Sequence, residues 1–229
     1  MEVGLVAASL LLIDDHVVIA QALADYLRAA GYDPVEYLPP DSLDVESMLV
    51  VARQLRPHVA LVDLNLGTGR SGIPLIGPLA GLGTKVIAFT ASDDPLDMAR
   101  CVEAGAVAFL HKATAFDVLV STIGRVVAGD QLIPPSQREE LLGMLRASRA
   151  AGDQRLARLA TLTPREEHVL KGLLAGETAS EIAQSGYVSV KTVRTQIESI
   201  RRKLGVKSQL AAVAYAREVG WRPGGGGSR

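Results

Sequence analysis

Residues 9–14 read SLLLID and residues 59–63 read VALVD, two short apolar runs that each stop on an aspartate. Runs apolar on consecutive residues suit strands buried on both faces, as in a parallel sheet clad in helices. Three more candidate strands, at 34–37, 85–90 and 107–110, complete a set of five. Helical patterns lie between and after them, at 17–30, 45–55, 73–82, 95–104 and 115–128. Regular alternation of strand and helix predicts an α/β domain over 9–128, a doubly wound sheet of five parallel strands in three layers.

In such a sheet the loops leaving the carboxyl ends of the strands converge on one edge, where ligands bind. Asp14 and Asp15 end the first strand, Asp63 the third and Thr90 the fourth; Lys112 follows the fifth. Taken singly, a strand-end aspartate is a turn former or a helix cap, and a lone lysine is solvated. The four positions together are the signal. If the strand order is 2-1-3-4-5, the first and third strands are neighbours and their carboxylates meet. Clustered carboxylates repel, and a hard divalent cation, Mg²⁺ above all, relieves that repulsion. Asp63 could then attack a phosphoryl donor and form an acyl phosphate, with Lys112 and the metal neutralising the phosphoryl oxygens and Thr90 donating a hydrogen bond. His16 and His111 flank the pocket and read as surface polar residues.

Charge separates the chain into unlike parts. Residues 1–128 hold 15 acidic and 8 basic side chains, a net −7; residues 129–229 hold 10 and 16, a net +6. Only the second part is expected to approach a polyanion. No apolar run is long enough for a membrane span. The apolar stretch 3–13 lacks a basic leader and runs into Asp14, which excludes a signal peptide. A single cysteine, Cys101, excludes an internal disulfide and fits a reducing cytoplasm.

Residues 129–161 read as a linker with one short amphipathic helix, SQREELLGMLRASR, after Pro134 and Pro135. Residues 162–219 are wholly helical, at 164–175, 179–185, 190–204 and 208–219, and 220–229 form a flexible Gly-rich tail. Thr163, Pro164 and Glu166 make a helix start, Gly176 an end, and Ser189 a cap for the third helix. On that helix Val193, Ile197, Ile200 and Leu204 form one buried stripe. Lys191, Arg194, Thr195, Glu198 and Arg202 occupy the opposite face, flanked by Thr192, Arg201 and Lys203. Two helices before a capped, basic-faced third describe an all-α, four-helix helix-turn-helix domain.

Four segments, LLIDDH, VALVDLNL, VIAFTAS and AVAFLHKA, resemble the signatures of response-regulator receiver domains, a flavodoxin-like fold, across residues 9–128. The resemblance implies that Asp63 is the phosphoacceptor and that Asp14, Asp15, Asp63 and the Asn65 backbone carbonyl hold Mg²⁺. It also makes Thr90 and Phe109 a switch pair, the aromatic ring turning inward as the hydroxyl moves to the phosphate. It breaks at LNLGTGRSG (64–72), where Gly67 stands in place of a usual proline and Gly72 falls a residue late, predicting a longer, looser loop.

Residues 162–217 are similar to the LuxR-type domain of NarL/FixJ regulators, through LTPREEHVL, ASEIAQSGYVSVKTVRTQIESI and RRKLGVKSQLAAVAYA. That likeness implies groove-facing Lys191, Thr192, Arg194 and Thr195, with Arg201, Arg202 and Lys203 nearer phosphates. It makes the last helix, with Leu210, Val213 and Ala214, a dimerisation element. Ser185-Gly186 replaces a bulkier pair and Gln196 a frequent histidine, which predicts a less rigid turn before the third helix. The expected protein is a DNA-binding transcriptional regulator rather than an enzyme. A sensor histidine kinase phosphorylates Asp63, and the chain acts on promoter DNA as a homodimer. Two rivals are an enzyme or small-molecule sensor on a flavodoxin-like sheet, and a regulator indifferent to phosphorylation whose receiver serves dimerisation. The first lacks a Gly-rich phosphate loop after the first strand; the second is separated by whether Asp63→Asn leaves DNA occupancy unchanged.

Overall fold

The computed structural model describes residues 8–39, 44–67 and 69–222; most of the expected tail, 223–229, lies outside them. The chain forms two compact units, Met1–Leu145 and Arg146–Arg229.

In the first unit five strands alternate with five helices: β1 (Leu10–Ile13), α1 (Val17–Ala29), β2 (Val35–Leu38), α2 (Val45–Leu55), β3 (Val59–Asp63), α3 (Ile73–Gly81), β4 (Lys85–Thr90), α4 (Pro95–Ala104), β5 (Ala108–His111) and α5 (Phe116–Val127). The strand order is β2-β1-β3-β4-β5, and all pairs are parallel. Successive side chains of a strand point to opposite faces, and both faces are packed. Leu11, Ile13, Ala60, Val62, Val86 and Ala88 join Met48, Leu75, Ile76 and Leu79 on the side of α2 and α3. Leu10, Leu12, Val59, Leu61, Ile87 and Phe89 join Leu23 and Leu27 of α1 and Leu119 and Ile123 of α5 on the other. This double burial is why the strands are apolar without alternation. Register then sets the chemistry. Ile13 pairs with Val62, Asp63 with Phe89 and Thr90 with His111, so Asp14, Asp63, Thr90 and Lys112 lie within a residue of adjacent strand ends.

A single helix, α6, runs from Pro135 to Leu159, longer than SQREELLGMLRASR suggests. Leu141 and Leu145 pack with Ile133 against Ala99 and Val102 of α4, where Met98 and Phe109 also lie. Leu159 instead belongs to the core of the second unit. The residues between, RASRAAGDQRLAR, are mostly exposed and have no apolar stripe, but alanine and arginine favour a helix by propensity.

The second unit adds α7 (Pro164–Ala175), α8 (Ala179–Ser185), α9 (Val190–Leu204) and α10 (Gln209–Glu218). Its starts are written into the sequence. Thr163 with Glu166 and Thr178 with Glu181 form complete capping boxes, while Ser189 and Ser208 accept hydrogen bonds from the first turns of α9 and α10. Val193, Ile197, Ile200 and Leu204 are all buried, against Val169, Leu170 and Leu173 of α7, Ile182 of α8 and Ala212 and Ala216 of α10. No helix among the described residues is long and apolar enough to cross a membrane.

Candidate functional site

At the carboxyl edge of the sheet the expected side chains meet. Lys112 Nζ lies 2.7 Å from Asp63 Oδ2 and 2.8 Å from Asp14 Oδ2. Asp14 and Asp63 are buried, so these are charges held away from water, and each needs a partner. Burial pushes the Asp63 carboxyl above its ordinary range, with Asp14 adding to the rise; the hydrogen bonds of Lys112 and of the Asn65 N–H pull it back only in part. Burial also disfavours the Lys112 ammonium, but the two carboxylates outweigh it and hold its pKa above the usual value. Lys112 is therefore a fixed cation between two carboxylates.

Asp14, Asp15, His16 and Asp63 each offer a ligand atom, all within 4.8 Å of one another. Asp15 Oδ1 is buried and makes no hydrogen bond, and the His16 Nδ1 atom lies 2.6 Å from it in an ion-pair contact. A buried carboxylate oxygen that receives no hydrogen bond, beside two other carboxylates, fits a hard divalent cation. His16, set aside from sequence as a surface residue, also lies 3.1 Å from Asp14 Oδ1 and 3.4 Å from Lys112 Nζ. Its adjacency to Asp14 and Asp15 was the available signal. Among the described residues the His111 ring bonds the backbone of Ala91, on the loop after β4, and of Ala113.

In the loop after Asp63, expected to be longer and looser, Thr68 lies outside the described residues, and the residues on either side of it are tied to one another. Asn65 N–H donates to Asp63 Oδ1 at 3.0 Å, and Asn65 forms an antiparallel bridge with Ser71. Leu66 N–H donates to the Arg70 carbonyl, Arg70 N–H to Gly67 and Gly72 N–H to Leu64. Gly67, at φ +70, brings the loop so close to Asp15 that a Cβ there would lie 2.8 Å from its Oδ2. Thr90 is buried, and its hydroxyl accepts the Ser92 N–H at 2.9 Å. Phe109 is half-buried and touches two clusters, the sheet core on the α2–α3 side and the α4–α6 contact.

On α9, Lys191, Thr192, Arg194, Thr195 and Arg202 are exposed, opposite the buried stripe. The other two basic residues are engaged within the unit. Lys203 Nζ donates to Glu166 Oε2 at 2.6 Å and to the Thr161 carbonyl at 2.8 Å. Arg201 donates to the Lys207 carbonyl. Both are half-buried, and these bonds tie them to the rest of the unit. On α10, Val213 is buried against the core, while Leu210 and Ala214, one turn apart, share the exposed face. In the turn before α9, Gly186 N–H donates to the Ile182 carbonyl and Val188 N–H to the Ala183 carbonyl, both at 3.0 Å.

Glu166 yields a pH-dependent expectation. Burial works against its charge, yet Lys203, the Thr163 N–H and hydroxyl, and Ser199 together lower its pKa to about 2 from an ordinary 4.5. A depressed carboxylate contributes stability that is complete above the unfolded value and is lost as pH falls through the folded one. Glu166→Gln is expected to lower the stability of the second unit by about 1–3 kcal/mol at neutral pH. The gap to wild type should close as pH falls below 4.5 towards 2. Trp221, the chain's one tryptophan, packs on this unit's core, so its fluorescence in denaturant titrations reads the result. A gap independent of pH would refute the ion-pair account.

Comparison with known proteins agrees with both halves of the molecule. The response regulator receiver domain model matches residues 10–124, and the model of bacterial regulatory proteins of the luxR family matches residues 160–216. A nitrate/nitrite response regulator protein homolog of Haemophilus influenzae is 31% identical over 204 residues, covering 88% of this chain and 92% of that protein. The nitrate/nitrite response regulator NarL of Escherichia coli is 25% identical over 213 residues, covering 92% and 95%. Among solved structures, a LuxR-family two-component response regulator from Aurantimonas sp. SI85-9A1 is 22% identical, with TM-score 0.49 over 63% of this chain and 99% of that one. The acidic sheet edge and the basic third helix thus sit in matching domains in matching order, and the chain belongs to the DNA-binding, LuxR-type response regulators of the NarL/FixJ family.

Proposed function

We propose that phosphorylation of Asp63 by a sensor histidine kinase, with Mg²⁺, turns this chain into a homodimer that binds promoter DNA. The observation that carries this reading is the Lys112 ammonium bridging Asp63 and Asp14 beside the Asp15 carboxylate. Asp14, Asp15, Asp63 and the Asn65 carbonyl would hold Mg²⁺, whose chemistry there is to neutralise charge on the phosphoryl oxygens. The Asp63 carboxylate attacks phosphorus; an O–P bond forms as the donor's N–P bond breaks, and the donor imidazole leaves with the bonding pair. The Lys112 ammonium, 2.7 Å from Asp63 Oδ2, favours the ionised nucleophile against the burial that raises its proton affinity. Lys112 then shifts from the Asp63 oxygen to a phosphoryl oxygen, and the Thr90 hydroxyl donates to another.

The readout runs through Phe109. An inward turn of its ring, as Thr90 moves, withdraws it from the cluster that holds Leu141, Leu142 and Leu145 of α6 against α4. On the DNA side, Lys191, Thr192, Arg194 and Thr195 face the groove and Arg202 a phosphate, and the exposed Leu210–Ala214 face of α10 pairs two copies. Moving the population from 1:99 to 99:1 takes about 5.5 kcal/mol of preference for the active state. The test is to add Mg²⁺ and a small acyl-phosphate donor, then follow mass, oligomeric state and affinity for duplex DNA. Modified protein that dimerises and binds DNA at least tenfold more tightly (about 1.4 kcal/mol) is expected. Modified protein with unchanged assembly and affinity would overturn the reading and leave a regulator indifferent to phosphorylation.

A further inference from the structure

The turn between α8 and α9 holds a residue that its backbone disfavours. Tyr187 has φ +52, a left-handed conformation that is uncommon for a bulky side chain. The turn itself asks for no aromatic. Its closure rests on backbone bonds from Gly186 to Ile182 and from Val188 to Ala183, and a glycine at 187 would adopt the same φ without strain. Nor does packing explain the ring, which at 97% is the most exposed large hydrophobic among the described residues. It stands two residues before Ser189, the cap of α9, next to the first turn that carries exposed Lys191 and Thr192. A strained, solvent-facing aromatic kept at the edge of a DNA-reading helix is explained by something outside the fold.

We propose that Tyr187 is a DNA-positioning residue whose phenolic hydroxyl donates a hydrogen bond to a backbone phosphate beside the groove that α9 enters. Tyrosine is among the side chains that make such contacts, which set register and orientation without reading sequence. Because the phenol is neutral, its bond displaces no counterion. It adds affinity at every salt concentration and leaves the salt slope unaltered, whereas each lysine or arginine contact contributes about −0.9 to that slope.

The contact is independent of sequence, so a labelled random-sequence duplex titrated with the full chain over a range of salt is a sufficient probe. Tyr187→Phe and Tyr187→Gly should each weaken binding about tenfold, in line with a hydrogen bond to a charged group, with the slope of log K against log salt unchanged. Lys191→Ala should instead flatten that slope. Tyr187→Gly should leave the melting temperature unchanged or raise it, since it removes strain and no packing. The proposal is overturned if Tyr187→Phe binds as wild type, if either variant alters the salt slope, or if Tyr187→Gly lowers the melting temperature. The first of these would point to an aromatic platform for a protein partner, and the last to a structural role within the turn.

Discussion

A chain carrying Asp63→Asn is expected to take up no phosphoryl group from an acyl-phosphate donor with Mg²⁺, and to keep its resting DNA affinity at every donor concentration. The substitution conserves volume and shape, so the buried end of β3 stays packed. Asn65 N–H keeps an oxygen to donate to, and Lys112 keeps Asp14 as a charged partner. What disappears is the anionic oxygen that lies 2.7 Å from the ammonium. An amide is no nucleophile towards phosphorus at neutral pH, so the loss should be complete rather than graded. Intact mass after incubation reads the result. Modification that persists in the variant would assign the chemistry to Asp14 or Asp15 and remove the basis of the proposed mechanism.

Gly72→Ala tests how the loop after Asp63 is built. A Cβ on Gly72 would fall 2.0 Å from the Asp63 carbonyl oxygen and 3.0 Å from Val62 Cγ1. Both are core atoms of β3 that cannot swing aside. Gly72 has φ −80, open to any residue, so the whole penalty is steric. The Gly72 N–H bond to Leu64 must also break if the loop backs away. A loss of about 3 kcal/mol in the first unit is expected, at the upper end for overpacking, with a slower uptake of phosphoryl because Asp63 shifts with its own carbonyl. Gly69→Ala is the companion: φ is +75 but nothing lies within 4 Å of its Cβ. It should cost about 1 kcal/mol, the penalty of a left-handed residue, and leave phosphorylation intact. Thermal unfolding followed by circular dichroism, with mass spectrometry for the phosphoryl group, separates the two. Equal losses for Gly72→Ala and Gly69→Ala would mean that the approach of Gly72 to β3 is not what shapes the site.

Strands and caps were legible because their signals are local. The runs VALVD and KVIAFT reappear as β3 and β4 with the expected bounds, since burial on both faces requires consecutive apolar side chains. Thr163, Ser189 and Gly176 mark helix ends through bonds made within a turn of themselves. α6 was misjudged because periodicity detects a buried face, and residues 146–158 bury almost nothing; propensity extends the helix where no stripe announces it. The same limit hid the engagement of Lys203. On a helical wheel it looks like one more basic residue beside Arg202, and only the docking of α7 on α9 brings Glu166 to within 2.6 Å. Val213 and Ala214 are neighbours in sequence with similar chemistry, yet α10 turns one into the core and the other outward.

From composition and pattern alone came the division into an acidic α/β part and a basic helical part, and the residue types needed at the strand ends. These follow from the period of side-chain burial and from short-range capping, which any stretch of chain carries within itself. Left to the tertiary structure were the contacts between residues distant in sequence. Lys112 reaches Asp63 across 49 positions, Gly67 comes close against Asp15, and Tyr187 stands exposed to solvent. No local pattern encodes them, because each distance depends on how separate elements pack, and a shift of one ångström in that packing decides whether two charges form a pair.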